Sequence, residues 1–465
     1  MTNPIIIELS RGEREEKKMT EDSKDFVLSR EDLINEIYSL KLENERLKTL
    51  LDAENERKKA DDVGLTLEEY SRYGRQMIAT ESHGVEGQLK LKRAKVLVIG
   101  AGGLGSPVLP YLAAAGVGTI GIVDDDKVEI SNLHRQILHN SFNVGMYKCD
   151  SAKHFLNKLN PNVRVFTYPV RLSPHNAFSI FEEYNYILDC TDNLTSRYLI
   201  SDVAVILGKT LVTGSGVGTH GQLAIFNFQN YGPCYRCYYP VPVDPMSVTT
   251  CDESGVIGPC IGLVGVMMAV ETMKLILGVY NKSNFQPTLK LYSGFPEQTL
   301  RSFKMRGRQE DCECCGKNPS ISRWAIESGK IDYVEFCGRR NYNVCRPEER
   351  ISVQEFYNDY KDRDDSSYIF LDVRPRHQYN ISHLSHSYNV PLKDLIEMNG
   401  NIRKLQDLIP TLDTKSEVVV ICRRGNDSQL ATRILRDDFH LEDVKDIKGG
   451  LFEYIDTIDP SIPKY

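Results

Sequence analysis

Residues 96–105 read VLVIGAGGLG, and this stretch decides the fold of the first half of the chain. Four β-type residues lead into Gly100, Gly102 and Gly105, the G-x-G-x-x-G pattern of a strand that turns tightly into a helix beside a nucleotide. Asp124, after the next apolar run, is placed to accept a hydrogen bond from a ribose hydroxyl. The uncharged run that ends at Asp124 is long enough to span a bilayer, but its glycines and prolines favour a buried strand–helix–strand unit.

The continuation of this stretch, residues 124–136 with the sequence DDDKVEISNLHRQ, fits a dehydrogenase poorly. An arginine at position 135 belongs near phosphates, which a guanidinium grips in a bidentate fashion, and Lys148 adds a second positive charge. Asp192 follows a predicted strand at residues 186–189, at the sheet edge where ligands bind, and its carboxylate suits magnesium. Arg135, Lys148 and Asp192 together favour a site that binds phosphates and magnesium. The alternative is the dinucleotide site of a nicotinamide oxidoreductase.

Length, charge and cysteine content limit the number of domains, the class of substrate and the cellular compartment. A chain of 465 residues suggests two or three domains at about 150 residues each. The net charge of -7, from 57 basic and 64 acidic residues, argues against a broad nucleic-acid surface, so a protein or a nucleotide is the expected substrate. The first residues lack a basic and apolar leader, and we expect a cytosolic protein without a membrane segment. In that reducing compartment, the 12 cysteines indicate metal ligands or reactive thiols.

Strand-like and helical segments alternate, which predicts a doubly wound Rossmann-like α/β domain followed by a smaller α/β domain. Strands are predicted at residues 96–99, 119–123, 163–168, 186–189, 210–213, 368–372 and 418–421. Residues 223–228 are expected to begin a small antiparallel region, and residues 262–277 a buried helix. The predicted organisation is an N-terminal extension (1–62), a first domain (63–318), a linker (319–349) and a second domain (350–465).

The N-terminal extension consists of a polar segment followed by a predicted helix. Residues 1–28 are polar and irregular, as in disordered segments. A helix is predicted over residues 29–59, with Leu33, Leu40 and Leu47 at heptad spacing and Asn44 on the adjoining position. Two interpretations stay open: pairing with a partner helix, or a single helix that is solvated or docked on the chain itself.

Two Cys-x-x-Cys pairs predict a metal site. Cys234 with Cys237 and Cys312 with Cys315 supply four thiolates, which satisfy a closed tetrahedral zinc site of the structural kind. Cys314 is a possible substitute, but the spacing favours its neighbours. The alternative is two unrelated pairs of reduced thiols.

Two further cysteines are candidate nucleophiles. Cys251 lies on a predicted loop, where it is accessible, although the acids beside it raise rather than lower the pKa of its thiol. Cys422 follows the strand at 418–421 and precedes a helix predicted at 428–436. The helix dipole and the two flanking arginines favour a thiolate and any anionic sulfur that Cys422 carries. A core cysteine and a phosphatase loop are the alternatives, although a phosphatase normally closes this loop with arginine and not with Asp427.

These motifs together resemble the ubiquitin-activating-enzyme-like adenylyltransferases, a family that includes bacterial sulfur-activation enzymes for molybdopterin and thiamin. Residues 372–374 (Asp-Val-Arg) and the Cys422 loop add a resemblance to a rhodanese domain, in the order found in the eukaryotic two-domain adenylyltransferases and sulfurtransferases. The resemblance spans roughly residues 64–465. Asp427 departs from the general rhodanese arginine, which argues against thiosulfate as the natural sulfur donor.

The resemblance implies a role for each matching residue. It implies that Arg75 reaches the nucleotide of the opposite subunit in a homodimer, and that Cys251 and Cys422 are the acyl-accepting and persulfide-carrying cysteines. It implies one structural zinc, and ATP with magnesium as substrate. The residues implied in ATP binding are Gly103, Asp124, Ser131, Asn132, Leu133, His134, Arg135, Lys148, Asp192 and Asn193.

The implied reaction is ATP-dependent adenylation of the C-terminal glycine of a small β-grasp modifier, followed by sulfur transfer from Cys422 to give a thiocarboxylate. The implied protein substrates are the ubiquitin-related modifier and the small subunit of molybdopterin synthase, with a cysteine desulfurase or a second sulfurtransferase as sulfur source. The implied outcomes are 2-thiolation of tRNA wobble uridine, protein urmylation and molybdenum cofactor biosynthesis, without direct binding of tRNA. A scaffold that binds the modifier without adenylating it is the remaining alternative.

Overall fold

A computed structural model describes residues 64–243, 255–338, 343–363 and 367–465. The chain divides at Tyr70 into two units, and the second unit, Ser71–Tyr465, is compact. The helix predicted over residues 29–59 lies outside the described residues, and so does Cys251. The second unit contains two separate β-sheets.

The first sheet has eight strands in the order β3-β2-β1-β4-β5-β6-β7-β8. Its strands are β1 (Lys95–Ile99), β2 (Thr119–Val123), β3 (Arg164–Tyr168), β4 (Tyr186–Asp189), β5 (Thr210–Val217), β6 (His220–Phe226), β7 (Thr288–Ser293) and β8 (Thr299–Lys304). The strands from β3 to β5 are parallel, and β6 pairs antiparallel with β5 and β7. The predicted doubly wound domain is confirmed, and so is the antiparallel region near residues 223–228.

Helices cover both faces of this sheet, as parallel strands require. They are α1 (Leu67–Met77), α2 (Gly84–Arg93), α3 (Gly105–Ala114), α4 (Lys148–Leu159), α5 (Ala177–Phe181), α6 (Leu194–Ile206), α7 (Tyr235–Tyr238), α8 (Gly258–Leu277), α9 (Arg323–Glu327) and α10 (Tyr333–Cys337). Buried residues form one apolar cluster on each face, one around Val98 and Leu112 and the other around Leu97 and Ile187. The alternating side chains of β1 therefore supply both clusters.

The strand register places the first candidate site. Ile99, the last residue of β1, pairs with Val123 of β2 and with Asp189 of β4. From β1 the sheet continues through β2 and β3 on one side and through β4 and β5 on the other. Open α/β sheets bind ligands at such a reversal of strand order. A Cβ atom on Gly105 would lie 2.1 Å from the carbonyl oxygen of Gly100, so the turn into α3 needs glycine here.

Helix α8 is the buried helix predicted from residue 262, and it begins four residues earlier. By length and hydropathy alone it could cross a membrane. It instead packs against α3, β5 and β6, with Val264 and Met268 completely buried. Gly278 ends it in the left-handed conformation (φ 78°), a common helix C-terminus.

The second sheet has five parallel strands in the order β11-β10-β12-β13-β9. Its strands are β9 (Arg350–Ile351), β10 (Ile369–Asp372), β11 (Tyr388–Asn389), β12 (Glu417–Ile421) and β13 (Asp443–Ile447). Its helices are α11 (Val353–Tyr360), α12 (Arg376–Tyr379), α13 (Leu392–Met398), α14 (Ile402–Leu408), α15 (Asp427–Asp437) and α16 (Gly450–Thr457). The predicted smaller α/β domain is confirmed.

The segment predicted as a linker, residues 319–349, differs from the expectation in its first half. It contains α9 and α10, and Ile321, Ile326 and Tyr333 are buried in the same cluster as Leu97 of β1. Helices of five residues are too short to display a 3.6-residue period. The hydrophobic pattern of this segment is therefore irregular although its side chains are packed in the first domain. Residues up to Gly338 therefore belong with the first domain.

Candidate active sites and metal centre

A cavity of about 1260 Å³ lies at the carboxyl ends of β1, β2 and β4. Six of the residues predicted to bind ATP line it, namely Gly103, Asp124, Arg135, Lys148, Asp192 and Asn193. Four others, Ser131, Asn132, Leu133 and His134, are not among its lining residues. The fold thus brings together residues from four separate parts of the sequence.

The carboxylate of Asp124 is fixed by the main chain. Its Oδ2 accepts a hydrogen bond of 2.7 Å from the N–H of Ala101, and its Oδ1 accepts one of 2.9 Å from the N–H of Asp126. Burial raises the pKa of Asp124, and the nearby charge of Lys148 opposes that rise. The carboxylate is therefore held rigidly at the start of the glycine turn.

Lys148 is a buried cation at the first turn of α4. Its Nζ lies 2.7 Å from Oδ2 of Asp126, and the lysine side chain is 7% exposed. Both residues line the cavity. Asp126 thus holds the lysine charge at the cavity wall.

Arg135 points into the cavity because its neighbours hold its guanidinium. Its Nη1 donates to the carbonyl oxygen of Ser131 (3.1 Å), and its Nη2 donates to Oδ1 of Asn132 (3.0 Å). Within the segment predicted to contact ATP, Arg135 therefore faces the cavity, and Ser131 and Asn132 orient it.

Asp192 and Asn193 follow β4 and are exposed at the cavity. The side chain of Asn193 caps α6 by accepting from the N–H of Ser196 at 2.8 Å. Arg197, which the sequence interpretation missed, is buried one turn later and donates to the carbonyl oxygens of Thr191 (2.7 Å) and Gly214 (3.0 Å). Its only sequence signal was its place one turn into the helix that follows Asp192.

Part of the cavity wall is apolar and aromatic. Tyr235, Tyr239 and Tyr292 line it, together with Val243 and Val256. These two valines stand on either side of residues 244–254, the segment outside the described residues that contains Cys251. The volume exceeds the roughly 300–1,000 Å³ of an ordinary small-molecule site, which suits two substrates.

Arg75 lies elsewhere. It is exposed in the last turn of α1 and is not among the residues that line the cavity.

The four predicted zinc ligands lie together and are buried. The Sγ atoms of Cys234, Cys237, Cys312 and Cys315 all lie within 4.8 Å of one another. The Sγ–Sγ distances are 3.8 Å for Cys234–Cys237, 3.5 Å for Cys234–Cys312 and 3.3 Å for Cys237–Cys315. A tetrahedron with Zn–S bonds near 2.3 Å requires about 3.8 Å, which these distances approach. Cys314 is not part of this group, so the preference for its neighbours is confirmed.

Cys422 lies at the end of β12, with its sulfur turned inward. The N–H of Gly425 donates to Sγ at 3.2 Å, and Sγ lies 3.4 Å from Oγ of Ser428 in the first turn of α15. Gly425 adopts a positive φ (74°), which closes the loop around the sulfur. Cys422 is 1% exposed.

This burial overturns one expectation about Cys422. Desolvation raises the pKa of its thiol, the charge of Asp427 raises it further, and the hydrogen bonds of the loop only partly oppose both. Arg423 was expected to favour the thiolate of Cys422, but its guanidinium makes other contacts. It lies 4.7 Å from the ring centre of Phe452 and donates to the main-chain oxygen of Tyr465 (2.8 Å). The resting loop therefore favours the thiol.

Comparisons with known proteins agree with both halves of the structure. Residues 73–314 match the ThiF family, and residues 352–457 match the rhodanese-like domain. The adenylyltransferase and sulfurtransferase UBA4 of Saccharomyces cerevisiae is 61% identical over 436 residues, which cover 94% of this chain and 99% of that protein. The proteins of the same name from Candida glabrata and Kluyveromyces lactis are 60% and 58% identical over 94% of this chain and 99% of their own lengths. The similarity extends through both domains.

Proposed function

The chain belongs to the ThiF family and is an adenylyltransferase and sulfurtransferase with a rhodanese-like domain, and from this premise we propose that it activates and sulfurates a small β-grasp modifier. The modifier ends in Gly-Gly, and its product is a C-terminal thiocarboxylate. The cavity at β1 and β4 is the adenylation site, and Cys422 carries the sulfur.

In the adenylation step, the terminal carboxylate of the modifier attacks the α-phosphate of ATP and displaces pyrophosphate. Arg135 and Lys148 stabilise the charge that shifts over the phosphates, and Asp124 hydrogen-bonds the ribose. Asp192 would hold the magnesium ion that accompanies ATP and neutralises phosphate charge. The apolar part of the cavity wall, with Tyr239, accommodates the end of the modifier.

In the sulfur step, the terminal sulfur of a persulfide on Cys422 attacks the activated acyl carbon. AMP leaves, or the Cys251 thiolate leaves if Cys251 has first accepted the acyl group. A thiol then attacks the sulfur of Cys422, the S–S bond breaks, and the thiocarboxylate is released while a disulfide remains for reduction. Cys251 is one candidate for that thiol.

The wider setting belongs to the same proposal. The ubiquitin-related modifier is the first substrate candidate and the small subunit of molybdopterin synthase the second, and a cysteine desulfurase or another sulfurtransferase loads Cys422. The product supports tRNA 2-thiolation and protein urmylation in the cytosol. The enzyme acts as a homodimer in which Arg75 serves the nucleotide of the other subunit.

The convergence of Asp124, Arg135, Lys148 and Asp192 on one cavity is the observation that carries this proposal. A wall with two carboxylates and two cations suits a nucleoside triphosphate with its metal ion, because one carboxylate is available to the sugar, the other to the metal, and the cations to the phosphates. The pairing of this cavity with a Cys422 loop in one chain supports the sulfur step.

Modifier-dependent exchange between ATP and pyrophosphate tests the adenylation step. The full chain should catalyse exchange with a Gly-Gly modifier, and Asp192→Ala should abolish it while binding of the modifier persists. NADH binding without exchange would instead support an oxidoreductase, and modifier binding without exchange in the unmutated chain would support a scaffold.

Mass spectrometry of the modifier's C-terminus tests the sulfur step. After incubation with ATP and a persulfide donor, the unmutated chain should add one sulfur in place of one oxygen. Cys422→Ala should retain exchange and form no thiocarboxylate. Comparing the ubiquitin-related modifier with the molybdopterin synthase subunit under identical conditions decides between the two substrates.

A further inference from the structure

A chain of hydrogen bonds leads from Cys422 into the interior of the second domain. The Sγ of Cys422 donates to Oγ of Ser428 (3.4 Å), and this hydroxyl in turn donates to Oδ2 of Asp446 (3.2 Å). Ser428 and Asp446 are both completely buried. The line thereby joins the residue that follows β12 to side chains of α15 and β13.

Arg350 of β9 closes this line into a ring. Its Nε lies 2.8 Å from Oδ1 of Asp446 and its Nη2 lies 3.1 Å from Oδ2. The same Nη2 donates to the carbonyl oxygen of Gly425 (3.2 Å), whose N–H donates to the Cys422 sulfur. The ring thus holds the sulfur, the hydroxyl and the carboxylate within hydrogen-bond distance of one another along one path.

The electrostatics of the ring suit proton uptake by Asp446. Burial raises the pKa of Asp446, which makes the carboxylate a better proton acceptor, while Arg350, Ser428 and Lys448 oppose that rise. The charge of Asp427 faces Cys422 from the first turn of α15 and raises the pKa of the thiol. Since a buried thiol does not ionise readily alone, the cysteine needs a partner that accepts its proton.

We propose that Ser428 and Asp446 form a proton relay that activates Cys422 when it takes up sulfur. The Sγ proton passes to Oγ of Ser428 as the hydroxyl proton passes to Oδ2 of Asp446, and the negative charge moves to the sulfur. The inference rests on the proposed role of Cys422 as the sulfur acceptor.

The step balances with a persulfide donor, R–S–SH. The Cys422 thiolate attacks the outer sulfur, a new S–S bond forms, and the S–S bond of the donor breaks. The donor leaves as R–S⁻, and the proton held on Asp446 balances its charge until R–SH forms. Ser428 contacts the reacting sulfur and is a catalytic residue, whereas Asp446 acts through it and is a positioning residue.

The test measures persulfide formation on the peptide that contains Cys422, by mass spectrometry of the full chain treated with glutathione persulfide. Ser428→Ala should slow this formation by about 10²-fold or more, the usual value of general acid–base catalysis. Thr432→Ala is the matched control, because Thr432 is equally buried one turn further along α15 and its hydroxyl has no hydrogen-bond partner in the described residues. If Cys422 in Ser428→Ala forms the persulfide at a rate within threefold of that in Thr432→Ala, the relay is overturned.

Asp446→Asn separates a relay from a purely structural role. The amide still accepts from Ser428 but takes no proton, so sulfur uptake should be slow near neutral pH and recover at high pH, where the thiol ionises without help. If the rate of sulfur uptake falls by the same factor at every pH, Asp446 only supports the fold and the relay is overturned.

The proposed function is checked in the same experiment. An unmutated chain that acquires no sulfur on Cys422 refutes the sulfur-carrier role and the relay with it. A chain that is persulfidated at Cys422 but unaffected by both substitutions refutes the relay alone. Unchanged pyrophosphate exchange in each variant shows that the first domain is intact.

Discussion

The Oη atom of Tyr333 donates a hydrogen bond of 2.9 Å to Oδ2 of Asp202. Asp202 is completely buried in α6 and also pairs with Arg236, whose Nη2 lies 2.9 Å from the same oxygen. The guanidinium of Arg236 lies 4.4 Å from the ring centre of Phe336. One buried acid thus joins α6, the helix that carries Cys237, and the segment whose sequence suggested a linker.

Asp202→Ala should destabilise the first domain by about 3–5 kcal/mol, because it removes the buried partner of Arg236 and leaves this guanidinium only the exposed Glu313, at 3.7 Å. Chemical denaturation followed by tryptophan fluorescence and circular dichroism measures the change. Glu182→Ala is the control, since its pair with Arg323 is half exposed and its loss should leave the midpoint unchanged. Equal midpoints for both variants would contradict this account of the pair.

Cys312→Ser should remove zinc and lower the melting temperature, because three thiolates do not complete the tetrahedral site. Elemental analysis should give one zinc per chain for the unmutated protein and none for the variant. Cys314→Ser, a change of a buried neighbour outside the four-sulfur cluster, should keep the metal. Loss of zinc from both variants would assign Cys314 to the site.

Lys148→Ala should reduce modifier-dependent pyrophosphate exchange by about 10²-fold, the typical effect of removing one group that stabilises transition-state charge. Lys158→Ala removes an exposed cation from the same helix and should leave exchange unchanged. Exchange that survives in Lys148→Ala would exclude this lysine from the phosphate site.

Asp427→Asn should increase the reactivity of Cys422 near neutral pH. The negative charge of Asp427 raises the pKa of the thiol, so its removal lowers that pKa and enlarges the thiolate fraction at any pH below it. Alkylation of the Cys422 peptide by iodoacetamide across a pH series measures the shift toward lower pH. Asp437→Asn, at the far end of α15, should leave the profile in place, and an unshifted profile in Asp427→Asn would disprove the charge effect.

The sequence by itself determined the two α/β domains, because local signals carried them. A run such as residues 96–105 specifies a buried strand, a turn that only glycine fits, and a helix, without reference to distant residues. The two Cys-x-x-Cys pairs likewise specified a four-thiolate site, since each pair places both sulfurs on one turn. Asp124, Arg135, Lys148 and Asp192 were recognisable because each follows a strand of the parallel sheet.

Only the tertiary structure decided the contacts between distant residues. The hydrogen bond from Arg197 to the carbonyl oxygen of Gly214 joins α6 to β5, and the packing of Tyr333 depends on a buried acid 131 positions away. The resting state of Cys422 was misjudged from its neighbours in sequence, because burial, which no local pattern measures, outweighs the loop's hydrogen bonds. Long-range burial and charge pairing arise only when strands separated in the chain meet in one sheet, as β9, β12 and β13 do around Cys422 and Asp446.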